Sequence, residues 1–257
     1  MEWKGSTAFI TGASRGIGAA VARAAAAEGA RVGLIARSKA DLDDVLAACG
    51  GAGAIAVADV GERAQAEEAV AALTRELGPP DLLVNNAGLG AYGRFDETDP
   101  DIAARLVRVN YLGALYATAA ALPSMIERRR GHIVNVASIA GRVPAPFESV
   151  YSGSKFALAG WSDALDIELA PKGITVTLVN PGPVETDFFA ARGAPYERSS
   201  PKPVTAEAVA AAIVAAVRKG RHEVYIPRWL RFPAAMKGVL PGSVRKGTAR
   251  NFRRDLA

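Results

Sequence analysis

Tyr151 and Lys155 stand four residues apart in Tyr151-Ser152-Gly153-Ser154-Lys155, and on a helix that spacing puts a phenol and an amine on one face. A phenol with a pKa near 10 is a poor base at neutral pH, and bringing it to about 7 takes roughly 4 kcal/mol. One ammonium about 4 Å away, at an effective dielectric near 20, supplies about that much. Tyr151 could then exchange a proton with a substrate oxygen. Ser138 follows an expected strand, and its hydroxyl could hold the same oxygen at the C-terminal edge of a parallel sheet, where open α/β folds bind ligands. An isolated Tyr–Lys pair is most often a solvated face, so this chemistry needs a cofactor and a scaffold.

A glycine turn points to the cofactor. The run Thr11-Gly12-Ala13-Ser14-Arg15-Gly16-Ile17-Gly18 lies between the first expected strand and the first helix. Glycines there let backbone approach a pyrophosphate, which rests on the N-terminus of the following helix. The spacing is G-x-x-x-G-x-G rather than the commoner G-x-G-x-x-G, and alone it could be only a tight connection. The usual fingerprint expects a carboxylate about 20 residues further on, bonded to the ribose 2′-hydroxyl. Arg37 holds that place, nineteen residues after Gly18. A guanidinium can fork onto a 2′-phosphate that a carboxylate would repel, and Arg15 could reach the same group. The expected cofactor is NADP(H) rather than NAD(H).

The elements that must position these groups alternate along the chain. Short apolar strands are expected at Thr7–Ile10, Arg31–Ala36, Ala54–Ala58, Leu82–Val84, His132–Val136, Thr175–Val179 and Glu223–Ile226. Helices are expected at Gly16–Glu28, Asp41–Ala48, Ala64–Leu77, Asp101–Arg129 as one long element, Val150–Ala170 and Ala206–Lys219. Apolar strands separated by helices mean a parallel sheet buried on both faces. The expected fold class is α/β, one doubly wound Rossmann-type domain with a seven-stranded parallel sheet and helices on both faces. Its catalytic body would span residues 1–227, and residues 228–257 would be a basic extension that is not an independent domain.

Taken together, these residues resemble the short-chain dehydrogenase/reductase family over residues 6 to about 187. Seven motifs in register carry the likeness: the glycine turn, Asp59-Val60, Asn85-Asn86-Ala87-Gly88, Asn110, Ser138, Tyr151 with Lys155, and Pro181-Gly182-Pro183-Val184-Glu185-Thr186. The resemblance implies a role for each. Tyr151 would be the general acid/base; Lys155 would lower its pKa and bind the nicotinamide ribose. Ser138 would polarise the carbonyl, and Asn110 would hold a water in a proton relay to Lys155. Asp59 and Val60 would contact adenine, while Asn86, Ala87 and Gly88 would line the cofactor cleft. Residues 181 to 186, with Pro181, Gly182, Val184 and Thr186 as contacts, would hold the carboxamide. Gly12, Ser14, Arg15, Gly16, Ile17, Gly18 and Arg37 would complete the cofactor site. Family members commonly pair two long helices across a two-fold axis, which implies a homodimer or homotetramer. The family's fatty-acid-synthesis ketoacyl reductases finish soon after the seventh strand. The basic extension here looks more like the hydroxysteroid and retinoid-type branch.

Composition bounds the alternatives. Of the 257 residues, 50% are hydrophobic and 22% charged, enough for one sizeable core and not a disordered chain. One cysteine, Cys49, and two histidines argue against an intramolecular disulfide framework and a multi-ligand metal site. No secretory signal is visible before the first strand, and the longest apolar stretch, Tyr111–Met125, contains Gly113 and Pro123. It is short for a membrane span. The expected location is cytoplasmic, at most peripheral to a membrane. The net charge of +5 hides an asymmetry, with eleven Lys and Arg against two acidic residues from Arg218 onwards. Trp229, Phe232 and Phe252 interleave with those cations, a pattern that could meet an anionic membrane; nucleic acid is not expected as a partner. The first reading is an NADP(H)-dependent interconversion of a ketone or aldehyde and an alcohol on an apolar substrate. The alternatives are a 3-oxoacyl-thioester reductase, and a non-catalytic NADP-binding protein with a membrane-interacting tail.

Overall fold

A computed structural model describes residues 2–197 and 200–252. The first half alternates strictly: β1 (Thr7–Thr11), α1 (Gly16–Ala27), β2 (Arg31–Ala36), α2 (Lys39–Ala48), β3 (Gly53–Val57), α3 (Arg63–Leu77) and β4 (Leu82–Asn85). After a longer loop come α4 (Pro100–Val107), α5 (Gly113–Glu127), β5 (Gly131–Val136), α6 (Ser149–Leu169) and β6 (Ile174–Pro181). The remainder is β7 (Val184–Glu185), α7 (Phe188–Ala191), β8 (Val204–Thr205), α8 (Ala206–Lys219), β9 (Glu223–Ile226), α9 (Arg231–Val239) and α10 (Pro241–Asn251). Seven strands pair in the order β3-β2-β1-β4-β5-β6-β9, all parallel. This is the expected doubly wound sheet. Strand order reverses between β1 and β4, and such a switch point opens a crevice at the carboxyl ends of the strands.

Apolar burial holds the layers together. One face of the sheet is covered by α1, α2 and α8; small residues such as Ala19, Ala22 and Ala210 bring α1 and α8 close, with Val209 and Ile213 in the same core. The other face is covered by α3, α5 and α6, through Val70, Leu73, Ala117, Met125 and Leu165. Local signals set the helix ends. Asp99 accepts from the Asp101 N–H ahead of Pro100, and Thr205 accepts from the Ala208 N–H. Both satisfy backbone donors that a helix leaves free. Gly220, at φ +57°, stops α8 in the left-handed region.

One expected element divides. The single helix expected over Asp101–Arg129 is α4 and α5 joined by a π-helical turn at Arg108–Leu112. The π turn inserts an extra residue into the helical repeat, a device concentrated at functional sites, and it contains Asn110. The apolar pattern runs unbroken across it, which is why periodicity reads one helix.

The described part of the extension lies back on the body. Leu230 closes over Gly182, Lys237 Nζ sits 3.9 Å from the Phe156 ring centroid on α6, and Phe252 stacks on Phe147 at 6.5 Å. Residues 253–257, the end of the expected extension, lie outside the described residues.

Candidate active site

A cavity of about 780 Å³ opens at the carboxyl ends of the strands. Its floor is the glycine turn between β1 and α1. Gly12 has φ +64°, and a Cβ there would lie 2.7 Å from Ala87 Cα. At Gly18 a Cβ would lie 2.2 Å from the Gly12 carbonyl oxygen. A methyl group at either position would push the turn off its neighbour. Asn86 fastens the turn: its Nδ2 donates to the carbonyls of Thr11 (3.0 Å) and Gly12 (3.1 Å). Thr11 Oγ1 in return accepts from the N–H groups of Asn86 and Ala87. Asn86 is thus a strut for the turn as well as a residue of the cleft wall. A Cβ on Gly16, at φ +55°, would lie 3.1 Å from Thr186 Cγ2, so the turn also meets the segment after β6.

The other expected cofactor residues rim this cavity. Ser14, Arg15, Ile17, Arg37, Asp59, Val60, Ala87, Gly88, Pro181, Gly182, Val184 and Thr186 all line it. Arg15 and Arg37 are exposed at the rim, with Arg15 only 3.9 Å from the equally exposed Asp187. Asp59 is not free. Its carboxylate accepts from Arg105 and from the Gly61 N–H; burial pushes its pKa up, but those contacts outweigh it and hold the carboxyl below its ordinary value. A glycine cradle with two rim cations fits a dinucleotide phosphate.

The reacting wall is built by β5 and α6. Ser138 follows β5, caps the short turn Ile139–Gly141 and accepts from the Ala140 N–H; its hydroxyl favours the ionised form of the Tyr151 phenol. Lys155 is buried, and its Nζ donates to the Val136 carbonyl at 2.9 Å. Burial lowers its pKa to about 8. Asn110 is almost completely buried; its Oδ1 accepts from the Leu89 N–H, and its Nδ2 donates to the Leu89 carbonyl and to Ser154 Oγ. Asn110 Oδ1 and Lys155 Nζ converge on Gly88, each 3.5 Å from where a Cβ would stand.

One expectation is corrected here. Spacing predicts that Lys155 lowers the Tyr151 pKa, but burial raises it above its ordinary value, partly opposed by the Ser138 hydroxyl. Lys155 Nζ lies 5.9 Å from the phenol ring centroid and is turned to a main-chain carbonyl. The lone ammonium is no match for desolvation of a fully buried phenol.

A family model described as short chain dehydrogenase matches residues 6–197. The chain belongs to the short-chain dehydrogenase family. Among curated relatives, the ketoacyl reductase HetN of Nostoc sp. is 37% identical over 230 residues, covering 86% of this chain and 78% of that protein. The glycine betaine reductase ATRR of Emericella nidulans is 43% identical over 188 residues, or 72% of this chain, yet those residues span only 15% of that much longer protein. A solved short chain dehydrogenase from Burkholderia cenocepacia in complex with NADP is 30% identical, with a TM-score of 0.83 over 96% of this chain and 99% of its own. One from Burkholderia phymatum in complex with NAD has the same TM-score of 0.83 at 25% identity, over 93% and 96% of the two chains.

Within this family member the substrate side of the cavity is aromatic. Phe188 packs on Tyr151 with centroids 5.5 Å apart; Phe189 lies 5.8 Å further on, and Tyr196 is 5.1 Å beyond it. These three side chains form one row along the wall of the cavity. Sequence reasoning missed what holds the row in place. Arg192, buried, pairs with Glu148 just before α6 and lies over the rings of Tyr92 (4.7 Å) and Phe189 (4.6 Å). It therefore ties three segments together around Tyr151. Nothing in the local spacing announces it, because its partners Glu148 and Tyr92 are 44 and 100 residues away in sequence.

The buried ammonium has a measurable cost. Unfolded, Lys155 keeps its proton up to about 10.5, while folded it releases it near 8. Between those values the unfolded chain binds more protons, so this group makes stability rise with pH. At neutral pH the penalty is about 3 kcal/mol, at 1.36 kcal/mol per pKa unit. We expect Lys155→Met to be more stable than the parent at pH 7, with the gain shrinking by about 2 kcal/mol or more at pH 10. Denaturant unfolding of both proteins, without cofactor, at the two pH values checks this. A gain that stays constant with pH would show that the buried charge is not its cause.

Proposed function

We propose that this dehydrogenase is an NADP(H)-dependent oxidoreductase interconverting a ketone or aldehyde and an alcohol on an apolar substrate. The observation that carries the reading is convergence: Ser138, Tyr151 and Lys155 stand on one wall of the cavity whose floor is the glycine turn. When bound, the cofactor would supply or accept the hydride. The residues of this chain do the rest. Ser138 and Tyr151, both lining the cavity, would present two hydroxyls to one substrate oxygen. A phenol held protonated by burial is a general acid, ready to donate to a carbonyl oxygen as negative charge develops there. Lys155 would hold the nicotinamide ribose, and Asn110, next to it at Gly88, would hold a water that returns a proton toward Lys155. The aromatic row from Phe188 to Tyr196 excludes water and favours apolar groups.

The NADP(H) preference rests on Arg37 and Arg15, two exposed guanidinium groups where a carboxylate would otherwise select NAD(H). Asp59 and Val60 would meet the adenine, with Asp59 held ionised by Arg105; residues 181 to 186 would hold the carboxamide. A ketoacyl-thioester reductase is the second reading. It gains support from HetN, whose name is ketoacyl reductase and which covers most of this chain, although the basic extension argues against it. We further propose a cytoplasmic homodimer or homotetramer and a weak contact of the tail with membranes.

Three measurements test these proposals. Tyr151→Phe should keep cofactor binding and lower turnover of a ketone panel by about 10²–10⁴-fold, the usual contribution of one acid/base group; near-parental turnover would exclude the mechanism. Arg37→Asp should shift kcat/KM toward NAD(H), since it loses a charge-assisted contact worth roughly 1.5–3 kcal/mol and adds repulsion. Equal or better efficiency with NAD(H) in the parent would overturn the preference. Light scattering at micromolar concentration should give a dimer or tetramer mass, and a monomer mass would refute the assembly.

A further inference from the structure

The extension has two faces. Its inner side chains, Leu230, Pro233, Val244 and Phe252, line the cavity, so the tail is a wall of the substrate site. Its outer face is apolar where solvent would be expected. Trp229, Phe232, Met236 and Val239 recur at helical spacing, with Leu240 beside them, and all are exposed, Phe232 at 58% and Val239 at 76%. Half of the large hydrophobic side chains exposed among the described residues belong to this stripe. An apolar stripe of this kind marks an interaction surface.

Charge chooses the partner. Between Glu223 and Asp255 the sequence has eight Lys and Arg, six of them up to Arg250, and no acidic residue. Lys237 is turned inward onto Phe156, but Arg228 and Arg231 are exposed within the stripe's own stretch of chain, and Arg245, Lys246 and Arg250 are exposed on the helix that follows. Aromatic and aliphatic side chains on a helix bordered by cations suit the headgroup boundary of an anionic bilayer. A second copy of this chain would bring like charge against like.

Trp229 belongs to both faces. It lines the cavity and is 47% exposed, so the stripe starts at the edge of the substrate site. We propose that the outer face of residues 229–240 docks on an anionic membrane surface, and that a carbonyl substrate dissolved in that membrane enters the cavity past Trp229. The second half rests on the carbonyl–alcohol reading above; the docking surface does not.

Vesicle co-sedimentation tests the surface without reference to activity. The full chain at low salt should partition onto vesicles of 7:3 phosphatidylcholine and phosphatidylserine at least about tenfold better than onto phosphatidylcholine alone, and salt should release it. Phe232→Ser with Val239→Ser, two exposed positions outside the cavity, should cut that partitioning about tenfold while leaving kcat/KM on a water-soluble ketone unchanged. Its turnover of a long-chain ketone presented in anionic vesicles should fall in parallel. Equal vesicle binding by parent and double variant would overturn the docking surface. So would a drop in oligomer mass in the variant with no vesicle binding by the parent, which would assign the stripe to a second copy. Stripe-dependent binding with normal turnover of vesicle-borne ketone by the variant would overturn the entry route. Stripe-dependent binding by a chain inactive on every ketone would keep the surface and sink the carbonyl reading instead.

Discussion

The site depends on burying one ammonium group. Lys155 sits inside the protein on the carbonyl of Val136, and burial alone accounts for its lowered pKa. Among the described residues no carboxylate pairs with it, so the fold bears a desolvation cost that an ion pair would have offset in part. The surrounding elements keep it there. Helix α6 presents it toward β5, whose last carbonyl receives it. The π turn between α4 and α5 carries Asn110 to the same spot, and Gly88 leaves the room that a side chain would fill. A structural lysine would have been turned to solvent. This one is held where a polar ligand can approach it, at the expense of stability in the free chain.

The same burial governs Tyr151. In isolation the Tyr–Lys pair suggests a phenol made acidic by a cation, whereas burial shifts the Tyr151 phenol the other way. Spacing reports which groups share a face; it does not report how much water each loses. Desolvation acts on both partners at once, lowering the lysine and raising the tyrosine. The free site is therefore closer to a neutral acid resting near a weakened cation than to a phenolate–ammonium pair. A ligand that restores polarity around both groups would pull the two pKa values back toward their ordinary values.

Legibility in the sequence tracked the range of the interactions. The glycine turn, the strands and the Tyr–Lys spacing are local, and each is readable because a turn, a pleat or a helical repeat dictates residue types over a few positions. The sheet is legible for the same reason: strands buried on both faces are continuous apolar runs. The π turn at Arg108–Leu112 leaves no such trace, since one inserted residue barely disturbs an apolar stripe in a helix already rich in alanine. The Arg192–Glu148 pair is invisible because it closes a distance of 44 residues and depends on two loops arriving together. The segment from β7 to β8 reads only as a loop containing aromatics. Its strands are two residues each and pair only once the segment has folded over the site.

The tail shows why fold and function part at the edge of a domain. Everything up to β9 serves the parallel sheet, and that sheet is shared with relatives of differing names. The extension contributes nothing to the sheet, yet Leu230 closes over Gly182 and Phe252 stacks on Phe147. It therefore walls part of the cavity whose floor is the glycine turn. Such a division lets one half of the cavity keep a fixed chemistry while the other is re-formed by the segment beyond the last strand. In this chain that segment is apolar where it meets the cavity, and its exposed side carries cations as well as an apolar stripe. The cavity wall at Leu230 and Pro233 and the exposed apolar stripe are then two sides of one short stretch of chain, so a change in either is felt by the other.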